Sequence, residues 1–247
     1  MADQRTDDWF KMRLGLVTGT GFANVLAQGR GNAESVQRRD YRIKLALERL
    51  TGKRIEDSAP NADMRRGIEL EPYARMAVES LRGYMVQEVD FVRHESLQCG
   101  VSPDGLVDAI GGLEIKCPKP AIHLEYLSLT DDSPAIYKPQ VQGSLMVTGR
   151  EWWDFASYCR EMPDELQLHV VRVYRDEGYI ENLRRETIKF LAEVDAQVRS
   201  LQEMVAQRRA EIDVIDAAAA AIAQPAACVA PSAPVQMKSR LAGMLSA

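Results

Sequence analysis

The sequence has no cluster of cysteines. Its four, Cys99, Cys117, Cys159 and Cys228, are widely scattered and form no CxxC pair, which leaves no signature of a zinc site or an iron–sulfur cluster. Histidine is scarce as well. His94, His123 and His169 lie far apart and build neither an HExxH nor an HNH-like pattern. No stretch approaches the roughly 20 apolar residues that a membrane-spanning helix needs, and the N-terminus, MADQRTDDWFKMR, lacks a basic-then-apolar leader pattern. These absences predict reduced thiols, a cytoplasmic setting and no membrane partner. A basic excess is missing too: the 247 residues carry a net charge of -5. That argues against a protein that coats nucleic acid nonspecifically. It leaves room for an enzyme that confines its basic side chains to one groove and places acidic ligands inside it. Internal repeats are also absent.

What is present fits a globular chain. Hydrophobic residues make up 46% and charged residues 27%, ordinary values for a packed domain, and the length suits one large domain or two small ones. Apolar spacing near 3.6 predicts helices in two pieces over 7–28, broken at GLVTGTG, with Thr20 as a cap of the second. Further helices are expected over 35–51, with Ser35 as cap and Gly52 as stop, and over 64–83, with Pro72 in a locally adjusted turn. GRGN at 29–32 reads as a flexible basic turn. Alternation predicts strands over 85–93, 104–109 and 112–117, the last two joined through Gly111-Gly112, and again over 152–159 and 168–175. Helical patterns return near 120–128 and 134–148. A long amphipathic helix is expected over 178–212, from the spacing of Ile188, Leu191, Val194, Val198, Leu201 and Val205. Residues 1–212 therefore read as the folded domain and 213–247 as a tail. Within that tail the Ala/Pro-rich stretch 216–234 is a flexible tether, and QMKSRLAGMLSA is either a short helix or a disordered end.

The stretch GVSPDGLVDAIGGLEIKCP carries the chemistry. In a strand, Glu114 and Lys116 share one face, while Ile115 points the other way. Asp104 reaches that face in a regular hairpin only if the loop holds an odd number of residues. A glycine in the left-handed conformation would supply the necessary bulge. Two convergent carboxylates call for a hard divalent cation, and oxygen ligands with retained waters suit Mg²⁺. A lysine two residues from a ligand can orient or deprotonate a water and offset charge on a phosphate under attack. By themselves these residues read first as a solvated charged hairpin. Trp152 and Trp153 read as strand packing, and the role of Trp9, near the Arg13 segment, is open.

The segments DDWFKMRLGLVTGTGFANVL, RRGIELEPYA, SPDGLV, LEIKCP and YKPQVQGSLMVTG occur in the order seen in the phage lambda exonuclease family. The chain resembles that YqaJ-type viral recombinase group of the PD-(D/E)XK nuclease superfamily from about residue 7 to 200. The resemblance implies an α/β fold, with a central mixed β-sheet flanked by helices in a restriction-endonuclease-like core. It implies Asp104, Glu114 and the main-chain carbonyl of Ile115 as Mg²⁺ ligands, with Mn²⁺ as a substitute, and Lys116 positioning or activating the attacking water. Glu71 and Gln140 complete the site from helices. Arg13, with Thr20 and Ser102, matches a 5′-phosphate pocket. Thr20 stands where the family is expected to carry serine, a change that keeps the hydroxyl. Arg30 matches a contact to duplex DNA, and Met64 an apolar wedge between terminal base pairs.

The implied activity is a 5′→3′ exonuclease on linear double-stranded DNA that releases 5′-mononucleotides and leaves a 3′ overhang. A ring-shaped homotrimer, a single-strand annealing protein as partner, and a bacterial or phage-infected cell are implied with it. Other readings are a catalytically inactive DNA-end-binding scaffold on the same fold, or a related nuclease of different polarity.

Overall fold

The computed structural model describes residues 6–31, 33–55 and 61–223. Side-chain hydrogen bonds cap the starts of three helices. The first helix, α1 (Asp7–Arg13), begins where the Thr6 hydroxyl accepts the Trp9 amide N–H. After the short strand β1 (Val17–Thr18) comes α2 (Gly21–Leu26). Thr20 stands at the start of α2 but makes no side-chain capping bond, so its expected capping role is not used and its side chain stays exposed. Helix α3 (Val36–Thr51) starts at Ser35, whose Oγ accepts the Arg38 amide, and stops at Gly52 in the left-handed region. Helix α4 (Ala62–Arg82) is capped by Asn61 and carries Pro72 within it.

Five strands follow: β2 (Val86–Gln87), β3 (Val92–Arg93), β4 (Cys99–Val101), β5 (Gly105–Val107) and β6 (Gly111–Lys116). Helices α5 (Pro120–Tyr126) and α6 (Lys138–Thr148) separate them from β7 (Trp152–Tyr158) and β8 (Leu168–Tyr174), and α7 (Glu177–Ala223) comes last. The expected α/β architecture of mixed sheet flanked by helices is present, with the strands divided between two mixed sheets. One has five strands in the order β2-β5-β6-β7-β8, the other three in the order β1-β4-β3. The strand expected over 85–93 is thus two strands in different sheets, the chain changing sheet between Gln87 and Val92. Strands β1 and β4, two and three residues long, are too short to show a period in the sequence.

The β5–β6 hairpin meets the parity requirement. Its pairs run Gly105↔Leu113, Leu106↔Gly112 and Val107↔Gly111, leaving the three-residue loop Asp108, Ala109 and Ile110. One step further along, Asp104 falls opposite Glu114, on the same face. The left-handed residue is Asp108, with φ of 46°, not a glycine. Gly111 and Gly112 lie inside β6, and they are required by packing. A Cβ on either would run into the indole rings of Trp152 and Trp153 on the neighbouring β7. As expected, both tryptophans are buried packing residues, 8% and 0% exposed.

The five-stranded sheet is covered on both faces. Leu113, Ile115, Ala156 and Tyr158 pack with Leu70, Ala74 and Val78 of α4. Trp153 and Phe155 belong to the larger core that includes Phe22, Leu45, Val141, Leu145, Leu183 and Phe190. Along α7 the buried positions include Ile180, Leu183, Thr187, Phe190, Leu191 and Val194, whereas Ile188 is 46% and Val205 39% exposed, two positions outside the expected stripe. The helix also continues past 212 to Ala223. The run DAAAAAIA is made largely of alanine, the strongest helix former, so residues 216–223 of the expected tether are helical. The remainder of the tether and the expected terminal helix lie outside the described residues. The chain divides into two units, with the boundary between Glu203 and Met204.

Candidate active site

The C-terminal end of β6 presents its polar side chains on one face. Glu114 is almost fully buried, 2% exposed. Its Oε1 accepts the Lys116 ammonium at 2.5 Å and the Gln140 side-chain amide at 2.6 Å. Its Oε2 is buried with no hydrogen-bond partner. Across the hairpin, Asp104 Oδ2 accepts the amide N–H of Ile115 at 2.6 Å, tying the loop carboxylate to the strand between the other two residues. Lys116 lies 4.8 Å from the centre of the Tyr137 ring, at the start of α6 next to Gln140. Strand register thus brings Asp104, Glu114, Ile115 and Lys116 together, and α6 adds Gln140.

The electrostatics follow from burial. Loss of water lifts the Glu114 carboxyl above its ordinary range; Lys116 opposes this, while Asp104 and Glu71 add to it. Burial works against the Lys116 ammonium, but Glu114 and Asp104 outweigh it and hold the lysine above its ordinary value. Lys116 is therefore a cation here. A buried carboxylate oxygen without a donor is costly, and the orphaned Oε2 of Glu114 beside Asp104 is suited to a hard cation. The donor set fits Mg²⁺ in this sense. Among the described residues, no group of three or more His, Cys, Asp or Glu side chains could hold a metal. The protein ligands would then be two carboxylates and a main-chain carbonyl. Glu71 lines the same cleft, with Asp104, Ile115 and Lys116, but its Oε1 is engaged by Arg75 at 2.8 Å.

The cleft continues to a cationic end. Arg13 Nη1 donates to Ser102 Oγ at 2.7 Å, and the Trp9 indole N–H donates to the same oxygen at 3.1 Å. The Arg13 guanidinium lies 3.9 Å from the centre of the Trp9 ring. Burial draws its pKa below the ordinary arginine value, with the nearby Arg54 charge adding to the effect and Tyr41 opposing it. Trp9 thus both stacks on Arg13 and fixes its hydroxyl partner, a role the sequence left open. Thr20 lines this end of the cleft, and Met64 lines it with 56% of its surface exposed. Arg30 is exposed and does not line the cleft.

Sequence reasoning missed Arg75, Tyr137 and Arg54. The i, i+4 spacing of Glu71 and Arg75 was the one signal available for them. The histidines are accounted for without chemistry. His123 is bonded to Ser157 and the Leu166 carbonyl, His94 accepts the amides of Ser96 and Leu97, and His169 is bonded to the Leu129 carbonyl.

A search of curated proteins returns no match. Among solved structures, the alkaline exonuclease LHK-Exo from Laribacter hongkongensis is 36% identical, with a TM-score of 0.74 over 82% of this chain and 99% of that one. The same enzyme in complex with dAMP matches equally well. A phage-related exonuclease from Haemophilus somnus 129PT, 15% identical, covers 76% of this chain and 96% of its own with a TM-score of 0.59, a likeness of fold. Residues 8–151 match the YqaJ-like viral recombinase domain, and the chain belongs to that family.

Proposed function

We propose that the protein is a Mg²⁺-dependent exonuclease that degrades the 5′-phosphorylated strand of linear double-stranded DNA, releasing 5′-mononucleotides and leaving a 3′ overhang. The observation that carries this reading is the pairing of two unlike ends in one cleft. At one end, a buried carboxylate with an orphaned oxygen faces Asp104 beside a protonated lysine. At the other, Arg13 is held by Ser102 and Trp9. LHK-Exo is seen in complex with dAMP, a nucleoside 5′-monophosphate of the product class expected here, which supports the chemistry.

Asp104, Glu114 and the Ile115 carbonyl would hold the cation, which supplies Lewis-acid polarisation of the scissile phosphate and lowers the pKa of water. The protein's own groups do the rest. Lys116, held protonated by Glu114 and Asp104, donates a hydrogen bond. It therefore orients water or holds a phosphate oxygen rather than accepting a proton. Gln140 fixes the Glu114 carboxylate by bonding its Oε1, leaving Oε2 to face the cation. Arg13 offers a planar fork to the terminal phosphate, which sets where on the strand the cut falls. Met64, exposed near the start of α4, would separate the terminal base step, and Arg30 would meet the duplex outside the cleft. A ring-shaped homotrimer threaded by the duplex explains processivity without the basic excess that the chain lacks. The exposed overhang is then the substrate of a single-strand annealing protein.

One assay tests the reading. The protein is incubated with linear 5′-phosphate, linear 5′-hydroxyl and covalently closed circular DNA, with Mg²⁺ and with a chelator. Loss of the 5′-phosphorylated strand alone, stopped by chelation, is expected. Degradation of the circle, or equal rates on the two linear ends, overturns it. A catalytically inactive end-binding scaffold would bind the linear ends and cut none. The acidic pair and the lysine are all in place, and this favours the enzyme.

A further inference from the structure

Arg54 is a cation that the catalytic arrangement does not use. It is exposed and lines the cleft with Arg13 and Thr20. Its guanidinium lies 3.7 Å from the centre of the Phe10 ring. Phe10 meets Trp9 edge to face, with centroids 4.9 Å apart at 76°, and Trp9 carries Arg13 on its own ring at 3.9 Å. The two arginines are thus joined through adjacent aromatic side chains of α1. Neither forms an ion pair with a carboxylate among the described residues.

The arrangement is also braced from behind. Glu48 of α3, 5% exposed, accepts the amide of Gly15 on Oε2 at 2.9 Å and the amide of Ile55 on Oε1 at 3.3 Å. One buried carboxylate therefore pins the two chain segments that deliver Arg13 and Arg54. Gly15 is held a second time, by Arg49 Nε donating to its carbonyl at 2.7 Å. The two guanidiniums repel, and the Arg54 charge contributes to the depressed pKa of Arg13. Fixed cations arranged in this way suit an anion of more than one charge. A terminal phosphate is a monoester with a second ionisation near pH 6, so it carries close to two charges at neutral pH, whereas an internal diester carries one.

We propose that Arg54 is the second cation of the end-recognition pocket, acting with Arg13 to select a dianionic 5′-monoester terminus over an internal diester or a 5′-hydroxyl. The assignment rests on the 5′-end reading above. Arg54 is a specificity residue, remote from Lys116 and the acidic pair in role. Glu48 is a positioning residue that acts through both segments.

The test uses the full-length protein with Mg²⁺ and two linear duplexes that differ only in a 5′-phosphate or 5′-hydroxyl. Initiation rates are measured for the wild type, Arg54→Ala and Arg54→Lys. Arg54→Ala is expected to lower the phosphate-to-hydroxyl rate ratio roughly tenfold, the loss of one charge-assisted contact, through KM rather than kcat. Arg54→Lys is expected to recover part of it, since it keeps the charge but not the fork. A wild-type ratio in Arg54→Ala overturns the proposal, as does equal slowing on both ends, which marks a general or structural role. A wild type that does not distinguish the two ends overturns the 5′-end reading itself, a separate result.

Discussion

The two ends of the cleft are built by opposite means. The acidic end is set by regular strand register: Asp104, Glu114 and Lys116 share a face because of hairpin parity, and a neighbouring helix adds Gln140. Its charges are largely answered from within, lysine against carboxylate. The cationic end is assembled from short elements and loop segments, α1, the turn at Gly15 and the chain after α3. Its arginines lean on aromatic rings and hydroxyls rather than carboxylates. The difference teaches that a sheet fixes reacting groups relative to one another, while loops leave charge available for a ligand. Reaction and end selection should then be separable by mutation.

Lys116→Ala gives the largest effect. Cleavage is expected to fall by roughly a thousandfold, within the range of a lost proton-donating or positioning group, while gel-shift binding to DNA ends persists. Loss of binding in parallel would break the separation. Arg13→Ala comes next. It should cost a charge-assisted contact of about 1.5–3 kcal/mol, seen as a tenfold or greater loss of 5′-phosphate preference with kcat maintained. A fall in kcat instead would place Arg13 in the chemistry.

Glu114→Gln sharpens the contrast from the side of stability. Burial lifts the Glu114 carboxyl above its unfolded value, so the folded protein loses stability as rising pH ionises it. The variant should lose cleavage, and without metal its Tm should no longer show the fall with rising pH that ionisation of Glu114 causes. A pH profile of Tm identical to the wild type's would mean that the carboxylate is fully compensated by Lys116 and Gln140. The smallest effect is expected from truncation after Ala223, where α7 ends. Degradation rates on linear DNA should stay at the wild-type level. A marked loss would give the tail a part in DNA handling.

Much of the acidic end was legible in the sequence because period-2 alternation states which residues share a face. The odd loop length was a requirement before it was an observation, and the three residues 108–110 satisfy it. The glycine pair was misread for a physical reason. Gly-Gly signals a turn locally, but here it answers to Trp152 and Trp153 on a strand some forty residues away. The cationic end was less visible. Arg13, Thr20 and Ser102 stood out only through family resemblance. Arg54 followed a helix stop with no motif around it, and its value depends on Phe10 and Glu48, contacts no local window contains. The same limit hid the division of 85–93 between two sheets, since alternation reports facing and not partners.

The left-handed Asp108 loop has an evolutionary consequence. The facing of Asp104 and Glu114, on which the proposed chemistry depends, is encoded as a parity. Insertion or deletion of a single codon between Val107 and Gly111 would leave both strands able to pair, yet would turn Asp104 away from Glu114. Arg13, Ser102 and Trp9 would be untouched. If the cationic end holds the 5′-phosphate as proposed, an inert protein that still grips DNA ends is one indel away, within reach of any lineage that needs the grip more than the cut.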